Sequence, residues 1–163
     1  MLKYLNGKIV MQEVPDEISL AIMISGCQHK CPDCHSKYSW EDKGTPLLQN
    51  LPIILESYKK YISCLCLMGG DQDQYELIEI CKQAHEAKLK TCLYTGYDEM
   101  SQLHQNLLKV LDYVKVGHFD KNKGPLNKST TNQRMYMKDY SPFGDAEVWS
   151  DITFKFWPKE ELL

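Results

Sequence analysis

Three cysteines stand within one short loop, Cys27-Gln28-His29-Lys30-Cys31-Pro32-Asp33-Cys34, directly after Gly26. Thiolates this close along a chain can converge on one soft metal centre. They make a poor disulfide framework, because three is an odd number and the intervals are too short to staple distant elements. Three ligands also leave one position open on a tetrahedral or cubane site, and an open position separates a catalytic metal centre from a structural one. Two centres suit these residues: an iron–sulfur cluster on the three thiolates, or a Cys₃His zinc site with His35 as fourth ligand. The zinc reading strains at Cys34-His35, since adjacent residues are awkward to place on one tetrahedron and zinc sites usually pair two distant knuckles.

Other residues of chemical interest close apolar runs. Ile62 to Met68 ends at Gly69-Gly70-Asp71, and Leu89 to Thr95 leads into Gly96-Tyr97. Glycines at a strand end let a ligand approach the backbone, and carbonyls exposed there can accept from an ammonium. Thr95 could set a hydroxyl beside the same ligand. Taken alone, ordinary turns account for both segments equally well. Asn132-Gln133-Arg134 falls in a stretch without periodicity, where site residues concentrate, and a solvated loop is its plain alternative. Cys64, Cys66, Cys81 and Cys92 suit small buried core positions better than redox chemistry. His29, His85, His104 and His118 carry no informative spacing.

Positioning these residues falls to strands and helices in alternation. Leu20-Ala21-Ile22-Met23-Ile24 reads as a buried strand stopped at Ser25-Gly26. Asn50 is suited to cap a helix through Tyr58, with Pro52 in its first turn. Ile62 to Met68 suits a strand covered on both faces. Asp73 is placed to cap a helix whose Leu77, Cys81 and Ala84 share a face. Leu89 to Thr95 follows as a strand, Asp98 to Val110 as a helix with Leu103, Leu107 and Val110 inward, and Tyr113 to Val116 as a fourth strand. Short connections in this order mean right-handed βαβ units: one α/β domain over 1–163 with an open, mostly parallel sheet. Residues 117 to 147 gather Gly, Pro, Asn and Ser and read mostly as loop, and Val148 to Trp157 as a last strand. Ligands of open parallel sheets sit outside the carboxyl ends of the strands. The Cys loop, Gly69-Gly70-Asp71, Thr95-Gly96-Tyr97 and Gly117-His118 all fall there.

A chain of 163 residues is long enough to bury a proper core. Its net charge of -3 and pI near 5.9 leave no electrostatic footprint for nucleic acid. No apolar stretch approaches a membrane span, and the start lacks the basic and apolar regions of a signal peptide. Seven cysteines, three of them grouped like ligands, argue for a reducing compartment, the cytoplasm.

The string Gly26 to His35, followed by Ser39-Trp40, is the opening of an ordered set. Met68-Gly69-Gly70-Asp71, Leu93-Tyr94-Thr95-Gly96-Tyr97 and Thr131-Asn132-Gln133-Arg134 come after it. The set resembles the anaerobic ribonucleoside-triphosphate reductase activating proteins, within the radical S-adenosylmethionine (SAM) enzymes. Gln72 stands where that family has proline, and Thr131 where it has serine. The resemblance implies a partial (β/α) barrel and a 4Fe–4S cluster held by Cys27, Cys31 and Cys34. The fourth iron would be chelated by the amino and carboxylate groups of SAM. An electron passed to the sulfonium would break its carbon–sulfur bond, giving methionine and a 5′-deoxyadenosyl radical. Gly69, Gly70 and Asp71 would then meet the SAM amino group, and Thr95 and Gly96 its ribose or methionyl end. His35 and Lys37 would hydrogen-bond near the sulfurs and shift the potential. The implied partners are a low-potential electron donor and the large subunit of anaerobic ribonucleotide reductase, which keeps a glycyl radical. With no extra domain, the partner's glycine loop is expected to enter over the strand ends. Asn132, Gln133 and Arg134 would receive it, the last through its planar guanidinium fork.

Overall fold

Apolar residues alternate along Ser19–Ile24 and fill Cys64–Met68 outright, so the first strand has one fully buried face and the second has two. The computed structural model describes residues 1–140, 144 and 147–162, apart from the Tyr140 side chain. Within them the chain runs β1 (Lys3–Val10), β2 (Ser19–Ile24), β3 (Thr45–Pro46), α1 (Leu47–Tyr58) and β4 (Cys64–Met68). It continues as α2 (Gln74–Glu86), β5 (Lys90–Tyr94), α3 (Gln105–Val110), β6 (Tyr113–Val116), β7 (Arg134–Tyr140) and β8 (Glu147–Asp151).

The strands form one sheet in the order β3-β1-β2-β4-β5-β6-β7-β8. Only β2, β4, β5 and β6 run parallel; β1 and β3 on one side, and β7 and β8 on the other, pair antiparallel. The fold is α/β as expected, but the sheet is mixed rather than mostly parallel. The added strands gave weak sequence signals for a physical reason. β1 is half-buried to exposed along its length, so no apolar period marks it. β7 sets Met135 and Met137 between Arg134, Tyr136 and Lys138, and its polar outer face masks the alternation. This strand occupies part of the stretch read as loop, and the last strand is β8, shorter than Val148 to Trp157. Residues 141–143 and 145–146 of that stretch lie outside the described residues. The pairing establishes an open mixed sheet; the partial barrel remains an expectation of the resemblance.

Helix boundaries shifted where local chemistry allowed. α1 starts at Leu47, so Pro52 lies inside it, and Asn50 donates its side-chain amide to Pro46 O at 2.7 Å from within the first turn. Asp73 does cap α2, accepting from Glu76 N at 3.1 Å, and Leu77, Cys81 and Ala84 are buried. The helix read over Asp98 to Val110 is broken at Leu103, whose extended backbone separates a 3-10 turn at Met100–Gln102 from α3.

The helices cover one sheet face, where Leu20, Ile22, Leu65, Leu67, Leu93 and Val114 meet Leu51, Leu77 and Leu107. The other face is sulfur-rich: Cys64, Cys66, Cys92 and Met135 pack with Val14, Tyr113 and Ile152. Among the described residues no helix is long and apolar enough to cross a membrane.

Candidate metal centre

The loop that leaves β2 carries the three cysteines over the carboxyl ends of the parallel strands. Its entry is pinned by main-chain bonds from Gly26 N and Cys27 N to Ser39 O, at 2.8 and 3.2 Å. Gln72, the residue standing in place of proline, donates to Ser25 O at 2.8 Å and ties the loop to the turn after β4. Cys27, Cys31 and Cys34 are all free and half-buried, and all three line one cavity of about 300 Å³. Burial, foremost, pushes the Cys27 thiol above its ordinary range. Among the described residues, no three His, Cys, Asp or Glu side chains stand close enough to share one metal ion. Three free thiols on the wall of one cavity suit a polynuclear centre, in which each thiolate binds a different iron. By donor chemistry, then, the residues present fit a cluster.

The other strand ends reach the same cavity. Gly69, Asp71, Thr95, Gly96 and Gln133 line it, together with His29, Lys115 and Phe119. Gly70 does not; it adopts φ +100°, and a Cβ there would meet Ile24 Cδ1 and Leu77 Cδ2 at 2.9 Å each, so it serves the core below. Gly96 is needed by a neighbouring side chain, since a Cβ would stand 2.5 Å from the His29 ring.

That ring explains how the separate motifs are joined. His29 Nε2 and Asp71 Oδ2 are 2.7 Å apart, and Thr95 donates its hydroxyl to the same carboxylate oxygen. Tyr97 N in turn donates to Thr95 Oγ1 at 3.1 Å, and the Tyr97 ring meets the His29 edge at 4.8 Å. Burial alone would raise Asp71, but the bonds from His29 and Thr95 outweigh it and hold the carboxyl below its usual range. The same Asp71 bond raises His29. One network therefore locks the Cys loop to the Asp71 turn and the Thr95 turn. His29 had no informative spacing in the sequence; its place at the middle of the Cys loop was the available clue.

Lys115 is the second residue the sequence reading passed over. It lies at the end of β6 within Tyr113-Val114-Lys115-Val116, every residue of which is buried. A lysine in a fully buried strand was the signal. Its Nζ donates to Gly117 O at 2.7 Å and Thr95 O at 3.4 Å. Burial draws its ammonium down to about 8, against the pull of Cys31 and Asp71.

The remaining expected residues sort by position. His35 packs on the Phe119 ring at 5.1 Å and Lys37 lies over Trp40 at 5.6 Å. Main-chain amides donate to the sulfurs: Ser36 N lies 3.3 Å from Cys34 Sγ, and the amides of His29 and Lys30 face Cys27. Asn132 donates to His118 O at 3.0 Å, and Gln133 to Gly117 O at 3.3 Å. Arg134 sits half-exposed with its Nε 4.0 Å from Asp151 Oδ2. Of the three, Gln133 alone lines the cavity.

Comparison with known proteins agrees with the thiol arrangement. The chain is 27% identical, over 106 aligned residues, to an anaerobic ribonucleoside-triphosphate reductase-activating protein of Salmonella typhimurium, an alignment covering 58% of this chain and 68% of the relative. No solved structure matches the chain. Residues 18–136, which hold the cysteine loop and every strand end lining the cavity, match the family described as the 4Fe–4S single cluster domain. The chain belongs to that family.

Proposed function

We propose that this protein is a radical SAM activase that generates a glycyl radical on the large subunit of anaerobic ribonucleotide reductase. The observation that carries the reading is the convergence of three free thiols and three strand-end turns on one cavity, in a family that binds a single 4Fe–4S cluster. The activating relative supports the choice of partner. When bound, the cluster and SAM would supply the one-electron cleavage on which hydrogen abstraction from the partner's glycine depends.

The chain's own residues do the rest. Cys27, Cys31 and Cys34 hold the irons as thiolates, and the Ser36 amide steadies one of them through its hydrogen bond to sulfur. The His29–Asp71–Thr95 network fixes the loop that carries them. Gly69 leaves main chain open to the cavity, and Asp71, Thr95 and Gly96 shape the wall against which SAM lies. Met23, Met68 and Phe119 add apolar lining that keeps water from the reacting groups. Gln133 faces inward, with Asn132 and Arg134 outside it, so the partner's loop is received across this rim. The whole chain acts as one domain, in a reducing compartment such as the cytoplasm, supplied by a low-potential donor.

The test incubates anaerobically reconstituted, reduced enzyme with SAM and the purified reductase subunit, and follows the glycyl radical by electron paramagnetic resonance. A radical on that subunit is the expected result. SAM cleavage with no radical on the subunit would refute the reductase assignment and leave another substrate.

A further inference from the structure

Lys115 is 7% exposed, and its side chain turns from β6 into the cavity edged by the three thiols. A buried ammonium needs an anionic partner or must give up its proton. Lys138, whose side chain is as deeply covered, has one in Glu147 at 3.5 Å. Lys115 has only the carbonyl oxygens of Gly117 and Thr95 and the face of Tyr94, 5.8 Å from its Nζ. Among the described residues, no carboxylate comes within ion-pair distance of it. Asp71, which faces the same cavity, already has His29 and Thr95 on one oxygen.

We infer that Lys115 is the counter-charge of the iron–sulfur centre, a positioning residue that makes the cluster easier to reduce. The inference rests on the 4Fe–4S assignment and not on the choice of reductase as partner. Three thiolates outweigh a dipositive 4Fe–4S core, so the centre is anionic, and reduction adds one further negative charge without making or breaking a bond. A fixed positive charge nearby favours the reduced form, in a site where low dielectric magnifies the effect. No step of the reaction requires Lys115 to lose its proton.

The experiment uses anaerobically reconstituted protein without SAM or reductase, titrated with dithionite in the presence of mediators. The ratio of reduced to oxidised cluster is read from electron paramagnetic resonance at a series of fixed potentials. Lys115→Gln keeps a donor for the same two carbonyls and removes the charge. It should lower the reduced-to-oxidised ratio at a given potential about tenfold, a shift of about 59 mV for one electron. Lys115→Arg should restore most of it. An unchanged potential in Lys115→Gln overturns the proposal. If a separate SAM titration of that variant then shows weakened binding, the lysine is a receptor for the SAM carboxylate and not the counter-charge of the cluster. If Lys115→Gln folds but takes up no iron, Lys115→Arg must recover both iron and potential. Failure of that recovery overturns the proposal too.

Discussion

The parallel strands carry a buried charge at each end, and the two are completed differently. At the amino ends Glu17 accepts from Ser63 Oγ and Lys90 Nζ, each at 2.5 Å, and from the Tyr113 hydroxyl at 2.8 Å. Burial alone would raise its carboxyl, but these three donors outweigh burial and hold it below the usual range. At the carboxyl ends Lys115 finds carbonyl dipoles and, among the described residues, no anion. The same rule governs both, that a charge taken from water must be paired. Where the chain supplies every partner, the cluster is structural. Where it supplies all but one, the proposed bound cluster would complete the set.

The largest effect should come from breaking the unfinished end. Cys27→Ala, Cys31→Ala and Cys34→Ala each remove one iron ligand, so iron and sulfide should fall to background by chemical analysis, and SAM cleavage with them. The thiols are only half-buried, so circular dichroism of the metal-free variants should overlay that of the metal-free parent. Stoichiometric zinc without sulfide in the anaerobic parent would break the comparison at its root, because the centre would then be structural as well.

The finished end should answer as stability rather than as metal content. Glu17→Gln leaves buried donors badly matched and should cost about 1–3 kcal/mol, read from the urea midpoint, with iron content unchanged. Its pH dependence has a definite sign. Because the folded carboxyl is held low, its contribution is present above the ordinary glutamate value of about 4.3 and is lost as pH falls through the lower folded value. The parent's stability should therefore drop across that acid window more steeply than that of Glu17→Gln. Equal slopes would show that Glu17 is not held low by its partners.

How much of this was readable in advance follows from the same contrast. The strands β2, β4, β5 and β6 announced themselves because burial writes continuous or alternating apolar runs into sequence. The antiparallel strands β1 and β7 that flank them did not, because one polar or exposed face carries no such constraint. The cysteine loop was legible from spacing alone. The bonds that organise it were not, since His29 to Asp71 spans 42 residues and no local pattern encodes it. Gly70 and Gly96 were noticed for ligand access, whereas the space they leave is filled by Ile24 and Leu77 in one case and by His29 in the other. Lys115 was visible as a charge in an apolar strand, but its meaning depends on facing the thiols, which only the fold decides.

The smallest effects on the centre should come from the sulfur that lies between the two ends. Cys64, Cys66 and Cys92 share the sheet face below the cavity, with Cys66 and Cys92 laterally paired on adjacent strands and Cys66 Sγ 3.7 Å from Met68 Sδ. Cys81 lies across the sheet among the helix contacts. Burial raises Cys64 and Cys92 above the ordinary thiol range and pushes Cys81 up to about 12. A thiol held protonated is neither a nucleophile nor a metal ligand. Cys64→Ala, Cys81→Ala and Cys92→Ala should therefore keep full iron and sulfide content, as should Cys66→Ala, whose side chain is fully buried in the core, and each should cost only packing, about 1–3 kcal/mol by urea titration. Cys66 is the sharpest case, because its neighbour Met68 also lines the cavity. If Cys66→Ala folds with the parent's circular dichroism yet loses iron, the centre extends below the loop and the ligand set is not Cys27, Cys31 and Cys34 alone.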